Sequence, residues 1–281
     1  MTIQRFFSGV LLAGALSLFA SCGNNEQAQT PSEGQQEQTP DIKEEAVTYT
    51  SGKDTLKGYV AYDANRKEQL PIVLVVHEWW GLTEYPRTRA KQLAELGYLA
   101  FSADIYSGGK LAPTPPEAQA AATPFYQNPQ LAKTRLDAAL EKAKSYPQAD
   151  TARTAAIGYC FGGAVVLNAA RLGANLDGVV SFHGNLVGTP ARKDLLKSAI
   201  LVCHGGADNF VPDAEVAAFK KSMDSIGADY TFKVYPGATH AFTNPNATEV
   251  GQKFNMPVRY DAQADSASWN DMKEFFGKIF H

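Results

Sequence analysis

The order of hydrophobic and polar residues divides the 281-residue chain into three parts. Residues 6–20 form a largely apolar run, and residues 23–45 are rich in Gln, Glu, Asn and Pro. This second part has Ile42 as its only large aliphatic residue, so it cannot bury a core of its own. We therefore expect a leader at residues 1–22, a flexible tether at 23–45 and one folded domain at 46–281.

The folded part begins with two predicted strands and continues as an alternation of strands and helices. Val47–Thr50 and Leu56–Asp63 predict an antiparallel hairpin, and the continuous apolar run Leu70–Glu78 is typical of a strand buried on both faces. The later predicted strands are Tyr98–Asp104, Arg153–Tyr159, Leu176–Gly184, Ala199–Asp208 and Tyr230–Pro236, and the predicted helices are Glu84–Gly97, Pro116–Phe125, Pro129–Ser145, Phe161–Leu172, Asp213–Ile226 and Ser266–Phe280. This alternation predicts an α/β fold with a mostly parallel central sheet and helices on both faces.

Composition and charge narrow the choice of partners. The net charge is −3 with 44% hydrophobic residues, and the chain contains no run of lysine or arginine. Nothing in this balance indicates binding to nucleic acid. The length suits one large domain, and we expect a monomer.

The apolar leader has the features of an export signal. Its core, Phe6–Ala20, has 15 residues, fewer than the roughly 18 to 20 that cross a bilayer. Ser21 and Cys22 follow directly, in a pattern that resembles the lipidation signal of bacterial lipoproteins. We expect lipidation of Cys22, export, and attachment to the cell envelope at the outer membrane, because Gly23 carries no acidic retention signal. A membrane-spanning anchor is the alternative interpretation of the same run.

The segment Gly158-Tyr-Cys160-Phe-Gly162 lies between a predicted strand and a predicted helix. The G-x-C-x-G spacing is typical of the sharp turn that lifts a nucleophile out of a sheet. The start of the helix favours a thiolate at Cys160, and the N–H of Phe161 would face the oxyanion of a tetrahedral intermediate. The alternative is that Cys160 is a small buried residue in a crowded turn.

Two further residues complete a predicted catalytic triad. Asp208 and His240 follow successive predicted strands, and the carboxyl ends of parallel strands carry the sites of open sheets. His240 would take the proton of the Cys160 thiol or pair with the thiolate, and Asp208 would hold the histidine tautomer. Taken singly, a turn aspartate and a surface histidine would also explain these positions.

Three other histidines also fall at predicted strand ends. His77, His183 and His204 could therefore lie near the same pocket, and we interpret His77 and His204 as surrounding residues rather than the base. No metal-ligand spacing such as H-E-x-x-H accompanies them. We expect neither a metal nor a cofactor.

Five short segments belong together in one family pattern. They are HEWWG at 77–81, ADIY at 103–106, GYCFGG at 158–163, HGGADNFVP at 204–212 and YPGATHAF at 235–242. This set resembles the dienelactone hydrolase family of α/β-hydrolases over Leu56 to His281. The resemblance implies the α/β-hydrolase fold and a Cys160–His240–Asp208 triad that hydrolyses an ester or lactone through an acyl-thioester. It also implies that the Trp79 N–H joins Phe161 in the oxyanion hole and that Glu78 contacts the resting cysteine.

The chain departs from this family where the resemblance implies two arginines for a substrate carboxylate. The region after ADIY has Lys110 but no arginine, and Asn244 stands where the second cation is expected. Aromatic residues nearby predict an apolar pocket instead. The candidate pocket residues are Trp80, Tyr106, Lys110, Phe242 and Asn244, with Phe125 and Tyr126 as further aromatic candidates. We therefore expect a small ester, lactone or enol ester as substrate; thioester or short-peptide hydrolysis would use the same groups.

Two structural alternatives remain at this point. In an exported protein, Cys160 and Cys203 could form a disulfide, which would remove the nucleophile. Cys203 lies inside an apolar predicted strand, so a buried thiol is the expected state. The alternative function is a non-catalytic surface lipoprotein that binds a small ligand or a partner in the same pocket.

Overall fold

This computed structural model describes residues 39–280 of the chain. These residues contain an eight-stranded sheet. The strands are β1 (Ile42–Ser51), β2 (Asp54–Asp63), β3 (Leu70–Val76), β4 (Leu99–Ala103), β5 (Ala149–Tyr159), β6 (Gly178–Phe182), β7 (Ala199–Gly205) and β8 (Tyr230–Tyr235). The helices are α1 (Glu84–Glu95), α2 (Pro115–Gln127), α3 (Pro129–Lys144), α4 (Phe161–Arg171), α5 (Asp213–Ile226), α6 (Ala247–Phe254) and α7 (Ala262–Ile279).

The order of the strands confirms the predicted α/β fold. Across the sheet it is β1-β2-β4-β3-β5-β6-β7-β8. β2 pairs with β1 and with β4 antiparallel, and every later neighbour pairs parallel. All seven residues of β3 are buried, as expected for a strand covered on both faces. The carboxyl ends of β3 to β8 consequently lie along one edge of the sheet.

Each face of the sheet carries its own apolar cluster. Successive side chains of a strand alternate between faces, so Leu74 of β3 packs on one side and Val75 on the other. Helices α2 to α5 cover the face of Leu74, and α1 and α7 cover the face of Val75. Burying a large aliphatic side chain stabilises a fold by about 1.5–3 kcal/mol, so both faces contribute to stability.

Two element boundaries differ from the prediction for identifiable reasons. β1 begins at Ile42, and its register with β2 runs from Ile42 opposite Asp63 to Ser51 opposite Asp54. Residues 42–45 therefore belong to the sheet and not to the predicted tether. Their charged side chains resemble those of a tether because they face solvent on an edge strand. α7 begins at Ala262, since the Asp261 side chain accepts hydrogen bonds from the N–H groups of the first turn.

α6 is an element that the sequence pattern did not predict. It is only eight residues long and contains Gly251, so its apolar period is too short to be recognised. The predicted leader at 1–22, its Cys22, and the tether up to residue 38 lie outside the described residues. Within residues 39–280, none of the helices is long and apolar enough to cross a membrane.

Candidate active site

The strand-to-helix turn at Cys160 has the geometry of a nucleophile elbow. Cys160 lies between β5 and α4 with φ 54° and ψ −114°, a strained conformation for a residue with a side chain. A Cβ added to Gly158 would collide with the carbonyl of Gly162, and one added to Gly162 would collide with the carbonyl of Val76. Both glycines are therefore required for this close approach of β3, β5 and α4.

Asp208 and His240 meet beside this turn, as the sequence predicted. Asp208 follows β7 and His240 follows β8, and His240 Nδ1 lies 2.8 Å from Asp208 Oδ2. Because Asp208 accepts from Nδ1, Nε2 is the ring nitrogen left for Cys160, whose side chain lines the same cavity as His240. Asp208 is itself oriented by the N–H of Phe210, which donates to Oδ1 at 2.8 Å.

The charges in this triad favour a protonated His240. Burial by itself would lower the pKa of His240, but the negative charge on Cys160 and the hydrogen bond to Asp208 outweigh it. Together they raise that pKa to about 10. An imidazolium on His240, held beside the Cys160 side chain, is therefore favoured.

The Glu78 carboxyl is hydrogen-bonded to the side chain of Asn244. Burial raises the pKa of the Glu78 carboxyl to about 7, although the hydrogen bond from Asn244 acts in the opposite direction. Asn244 Nδ2 donates to Glu78 Oε2 at 2.6 Å, while the N–H of Asn246 donates to Asn244 Oδ1 at 3.0 Å. Because Oδ1 is already occupied, the amide cannot turn over without losing that bond. The contact between Glu78 and the resting cysteine that the family resemblance implies stays a prediction: both side chains line the same cavity, and no hydrogen bond joins them among the described residues.

A cavity of about 310 Å³ opens above the triad. Its walls are formed by Glu78, Trp79, Trp80, Gln119, Tyr126, Cys160, Asn185, Phe210, His240, Ala241, Asn244, Ala247, Val250, Met256 and Val258. Among these described residues there is no lysine or arginine, so apart from His240 of the triad the wall offers an anionic substrate no cationic side chain. On the other side of Trp80 and Val250, a second cavity of about 430 Å³ extends towards Phe254.

Of the candidate pocket residues, Trp80, Tyr126 and Asn244 line the cavity, whereas four others do not. Phe125 packs beside Tyr106. Tyr106 lies behind the wall, where its hydroxyl donates to the carbonyl of Trp79 at 3.0 Å. Lys110 is exposed. Phe242 is fully buried on the opposite face of the sheet, against Tyr235. These four predictions were wrong because nearness to a motif in sequence does not determine which face a side chain joins.

Two backbone amides are available for an oxyanion. Within residues 39–280, the N–H groups of Trp79 and Phe161 have no hydrogen-bond partner. The carbonyl of Glu78 accepts from His77 Nδ1 at 2.6 Å, and His77 Nε2 accepts from the N–H of Ile105 at 3.3 Å. In a trans peptide the N–H and C=O point in opposite directions, so the Trp79 N–H is turned away from His77. His77 is thus a buried structural neighbour, as interpreted from the sequence.

The two cysteines do not form the disulfide considered above. Both thiols are free. Cys160 packs on the face of Leu74, whereas Cys203 is buried on the face of Val75, with Tyr235 donating to its sulfur at 3.5 Å. Because the sheet separates the two sulfurs, the disulfide alternative is wrong for this fold.

The structure adds residues for which the sequence offered no signal. Gln119 of α2 and Asn185 after β6 contribute amide groups to the cavity wall, and α6 with the segment after it contributes Val250, Met256 and Val258. These residues lie on elements without a recognisable motif. Behind the elbow, His183 and Thr243 form a buried polar group with Tyr85 and Arg89.

Comparison with known proteins agrees with this arrangement. The model of the dienelactone hydrolase family matches residues 56–280. A protein of Aquifex aeolicus that is provisionally named a carboxymethylenebutenolidase is 30% identical over 227 residues, which cover 79% of this chain and 92% of the relative. A protein of Caenorhabditis elegans without an assigned function is 37% identical over 154 residues, covering 53% of this chain and 94% of the relative.

Solved structures show the same fold. A dienelactone hydrolase-like promiscuous phosphotriesterase from metagenomic libraries superposes with a TM-score of 0.79 at 31% identity, covering 85% of this chain and 98% of the other. An acylaminoacyl peptidase of Pyrococcus horikoshii has a TM-score of 0.59 at 14% identity, covering 72% of this chain and 38% of the other. The second similarity extends to the α/β-hydrolase fold alone.

Proposed function

Because this chain belongs to the dienelactone hydrolase family and is a hydrolase of that kind, we propose that Cys160, His240 and Asp208 hydrolyse a small uncharged ester, lactone or enol ester. The observation that carries this proposal is the buried Asp208–His240 bond of 2.8 Å beside a cysteine on a strained elbow. The chain order of the three groups and the bond from His240 Nδ1 to Asp208 support nucleophilic acyl transfer.

The proposed reaction has two acyl-transfer steps. The Cys160 thiolate attacks the substrate carbonyl, and the N–H groups of Trp79 and Phe161 stabilise the resulting oxyanion. The C–O bond then breaks, and the His240 imidazolium gives its proton to the departing oxygen. A water molecule, deprotonated by the now neutral His240, attacks the acyl-thioester. The acid departs, the thiolate re-forms, and His240 retains the proton taken from water.

The cavity supports an uncharged substrate in place of a carboxylate such as dienelactone. Its described wall has no lysine or arginine, and Glu78 would repel a second carboxylate whenever it is ionised. Trp79, Trp80, Val250 and Met256 provide an apolar surface for a small acyl or alkyl group. Thioesters and activated short peptides would react at the same thiolate.

A second candidate activity is hydrolysis of a neutral phosphotriester. The relative of 31% identity is named as a promiscuous phosphotriesterase. The absence of lysine and arginine from the described cavity wall also favours this substrate, because a phosphotriester carries no charge to be compensated. The alternative of a non-catalytic binding lipoprotein would require the triad to be assembled without being used.

We also propose that Cys22 is lipidated and that the enzyme works at the cell envelope, attached to the outer membrane by that anchor. The support is the sequence pattern of the leader: an apolar core of 15 residues followed by Ser21 and Cys22. A polar tether would then separate the sheet from the lipid. The hydrolase would act there as a monomer on substrates in the exported compartment.

Initial rates on a panel of lactones, enol esters, aryl esters and an aryl dialkyl phosphate test the proposed function. Wild type, Cys160→Ala and His240→Ala are measured side by side. We expect a decrease of about 10³-fold or more in kcat for both variants, because members of a triad act as a unit. Equal, near-background rates for all three proteins would exclude hydrolysis of this panel and favour the binding lipoprotein. The preferred compound would decide between carboxylic and phosphoric esters.

A further inference from the structure

The backbone of the nucleophile is hydrogen-bonded to a second buried histidine. The N–H of Cys160 donates to the carbonyl of Phe182 at 3.0 Å, as strand pairing requires, and also lies 3.1 Å from His183 Nδ1. His183 follows β6, does not line the cavity, and is 1% exposed. Its ring therefore acts on the protein and not on the substrate.

Hydrogen bonding determines the protonation state of His183. An amide N–H can only donate, so Nδ1 must carry a lone pair and the ring proton must be on Nε2. Nε2 lies 2.7 Å from Thr243 Oγ1, which accepts that proton's hydrogen bond. Burial and the charges of His240 and Arg89 place the pKa of His183 well below its ordinary value. A neutral His183 also avoids placing a second cation beside the His240 ring, 5.3 Å away.

Thr243 belongs to the turn that carries His240 and is anchored from two further elements. Tyr85 of α1 donates to Thr243 Oγ1 at 2.6 Å and accepts from Arg89 Nε at 3.2 Å. Arg89 also donates to the Thr243 carbonyl at 2.7 Å and pairs with Asp265 of α7. The guanidinium thus fixes both the backbone and, through Tyr85, the hydroxyl of Thr243.

The residues at the two ends of this series of hydrogen bonds have strained backbone conformations. Of five non-glycine residues with positive φ in the described region, Cys160, His183 and Ala241 lie here, with φ of 54°, 42° and 58°. Such a conformation is strained for a residue with a side chain and persists only where surrounding contacts enforce it. The His183–Thr243 bond joins the turn of the nucleophile to the turn of the base.

We propose that His183 and Thr243 are positioning residues, which set the distance between the Cys160 sulfur and the His240 ring by tying the elbow to the histidine loop. The two catalytic groups otherwise reach the cavity on separate elements, Cys160 between β5 and α4 and His240 after β8. Losing the link would let the elbow and the loop shift relative to each other, which lowers the chemical rate without removing any group that touches the substrate. This inference rests on the proposed function for its kinetic consequence.

The test compares Thr243→Val with Thr243→Ser in the full chain. Valine keeps the shape but loses the acceptor, so we expect kcat to fall about 10- to 100-fold with KM within about threefold. Serine keeps the hydroxyl, and its kcat should stay within about threefold of wild type. Iodoacetamide alkylation of Cys160 at neutral pH should slow in the valine variant alone.

A matched control is Thr154→Val in β5, the strand that leads to Cys160. Thr154 is 5% exposed and lies in the middle of the strand, where its hydroxyl donates to the Asn175 carbonyl at 3.2 Å. This variant loses a comparable buried hydrogen bond, so a lower melting temperature with unchanged kcat and alkylation is expected. Equal losses of kcat at residues 154 and 243, or equal losses in the valine and serine variants, would overturn the positioning role. So would a folded Thr243→Val protein with wild-type kcat.

Nitrogen-15 NMR of histidine-labelled wild type tests which ring nitrogen of His183 carries the proton. This measurement does not depend on whether Thr243→Val folds. The His183 signals, assigned with single-histidine variants, should show a bare Nδ1 and a protonated Nε2 at neutral pH. A proton on Nδ1, or a doubly protonated ring, would contradict the proposal. Wild type without hydrolytic activity would refute the proposed function, while the alkylation and NMR results would still decide the role of His183.

Discussion

The Glu78 carboxyl and the His240 imidazole line the same cavity, and burial acts on their pKa values in opposite directions. It raises the pKa of Glu78 to about 7 and would lower that of His240, whose charged neighbours instead raise it to about 10. Glu78 is therefore partly protonated at neutral pH, while His240 is charged beside Cys160. Asn244 supplies a neutral partner for Glu78 in both of its protonation states, since its amide nitrogen donates to either form.

Replacing Glu78 by Gln should change how stability depends on pH. The folded protein binds the Glu78 proton more tightly than the unfolded chain does, so the free energy of unfolding decreases as pH rises from about 4.5 to about 7. This decrease amounts to about 3 kcal/mol and should be absent from Glu78→Gln. Urea denaturation across this pH range measures it, with the exposed Glu249→Gln as control. The same slope in Glu78→Gln as in wild type would contradict the assignment.

Among the elements, α6 determines the size of the cavity, although it contributes little to either sheet face. Its residues Ala247 and Val250 line the wall over the triad, together with Met256 and Val258 from the segment that follows. Ala247, Val258 and Ala241 form a small apolar cluster of their own. The helix therefore lies between the two cavities and packs against few other residues. A small displacement of α6 changes the volume that is available to the substrate.

Gly251→Ala should move this helix and alter substrate binding. An added Cβ would collide with the carbonyl of Val258 and lie 3.0 Å from the carbonyl of Met256, so α6 must shift away from that segment. We expect a loss of about 1–3 kcal/mol in stability from overpacking and a rise in KM larger than the fall in kcat.

The matched control for α6 is Gly277→Ala in α7, where no atom lies within 4 Å of the added Cβ. In that open position alanine should stabilise the helix by about 0.5–1 kcal/mol and leave KM unchanged. Steady-state kinetics and thermal melts distinguish the two cases. A KM in Gly251→Ala equal to that of Gly277→Ala would exclude α6 as the wall that selects the substrate.

For the whole molecule, the main question is where a hydrolase of this family works. A net charge of −3 indicates no attraction to an anionic surface. Attachment to a membrane would then depend on the proposed lipid at Cys22 and on no part of the folded domain. The chemistry of the cavity and the location of the protein are thus expected to be separable.

Cys22→Ser in the full chain, produced in a bacterium that lipidates exported proteins, tests this separation. We expect wild type in the membrane fraction with the mass of a lipidated amino terminus at Cys22. The serine variant should lack that mass and leave the membrane, with hydrolytic rates per mole unchanged. Mass spectrometry and fractionation measure both outcomes, and an unmodified wild-type protein in the soluble fraction would contradict the anchor.

The strands, most helices and the three triad positions could be predicted from the sequence because their signals are local. A run such as Leu70–Val76 is apolar for its whole length. The glycines on either side of Cys160 mark a turn that has no room for a side chain at their two positions. Asp208 and His240 could be paired with Cys160 because the carboxyl ends of parallel strands share one edge of the sheet. The sequence by itself thus determined the α/β fold, the family and the groups proposed for chemistry.

Only the tertiary structure decided the contacts between segments that are distant in the chain. The pairing of Glu78 with Asn244, the wall contributed by α6, and the link from His183 to Thr243 each join residues on different elements. Tyr106 and Phe242 stand beside recognised motifs, yet each is turned away from the cavity. A local pattern specifies which face of an element is apolar, but the packing of elements determines which side chains meet in a cavity.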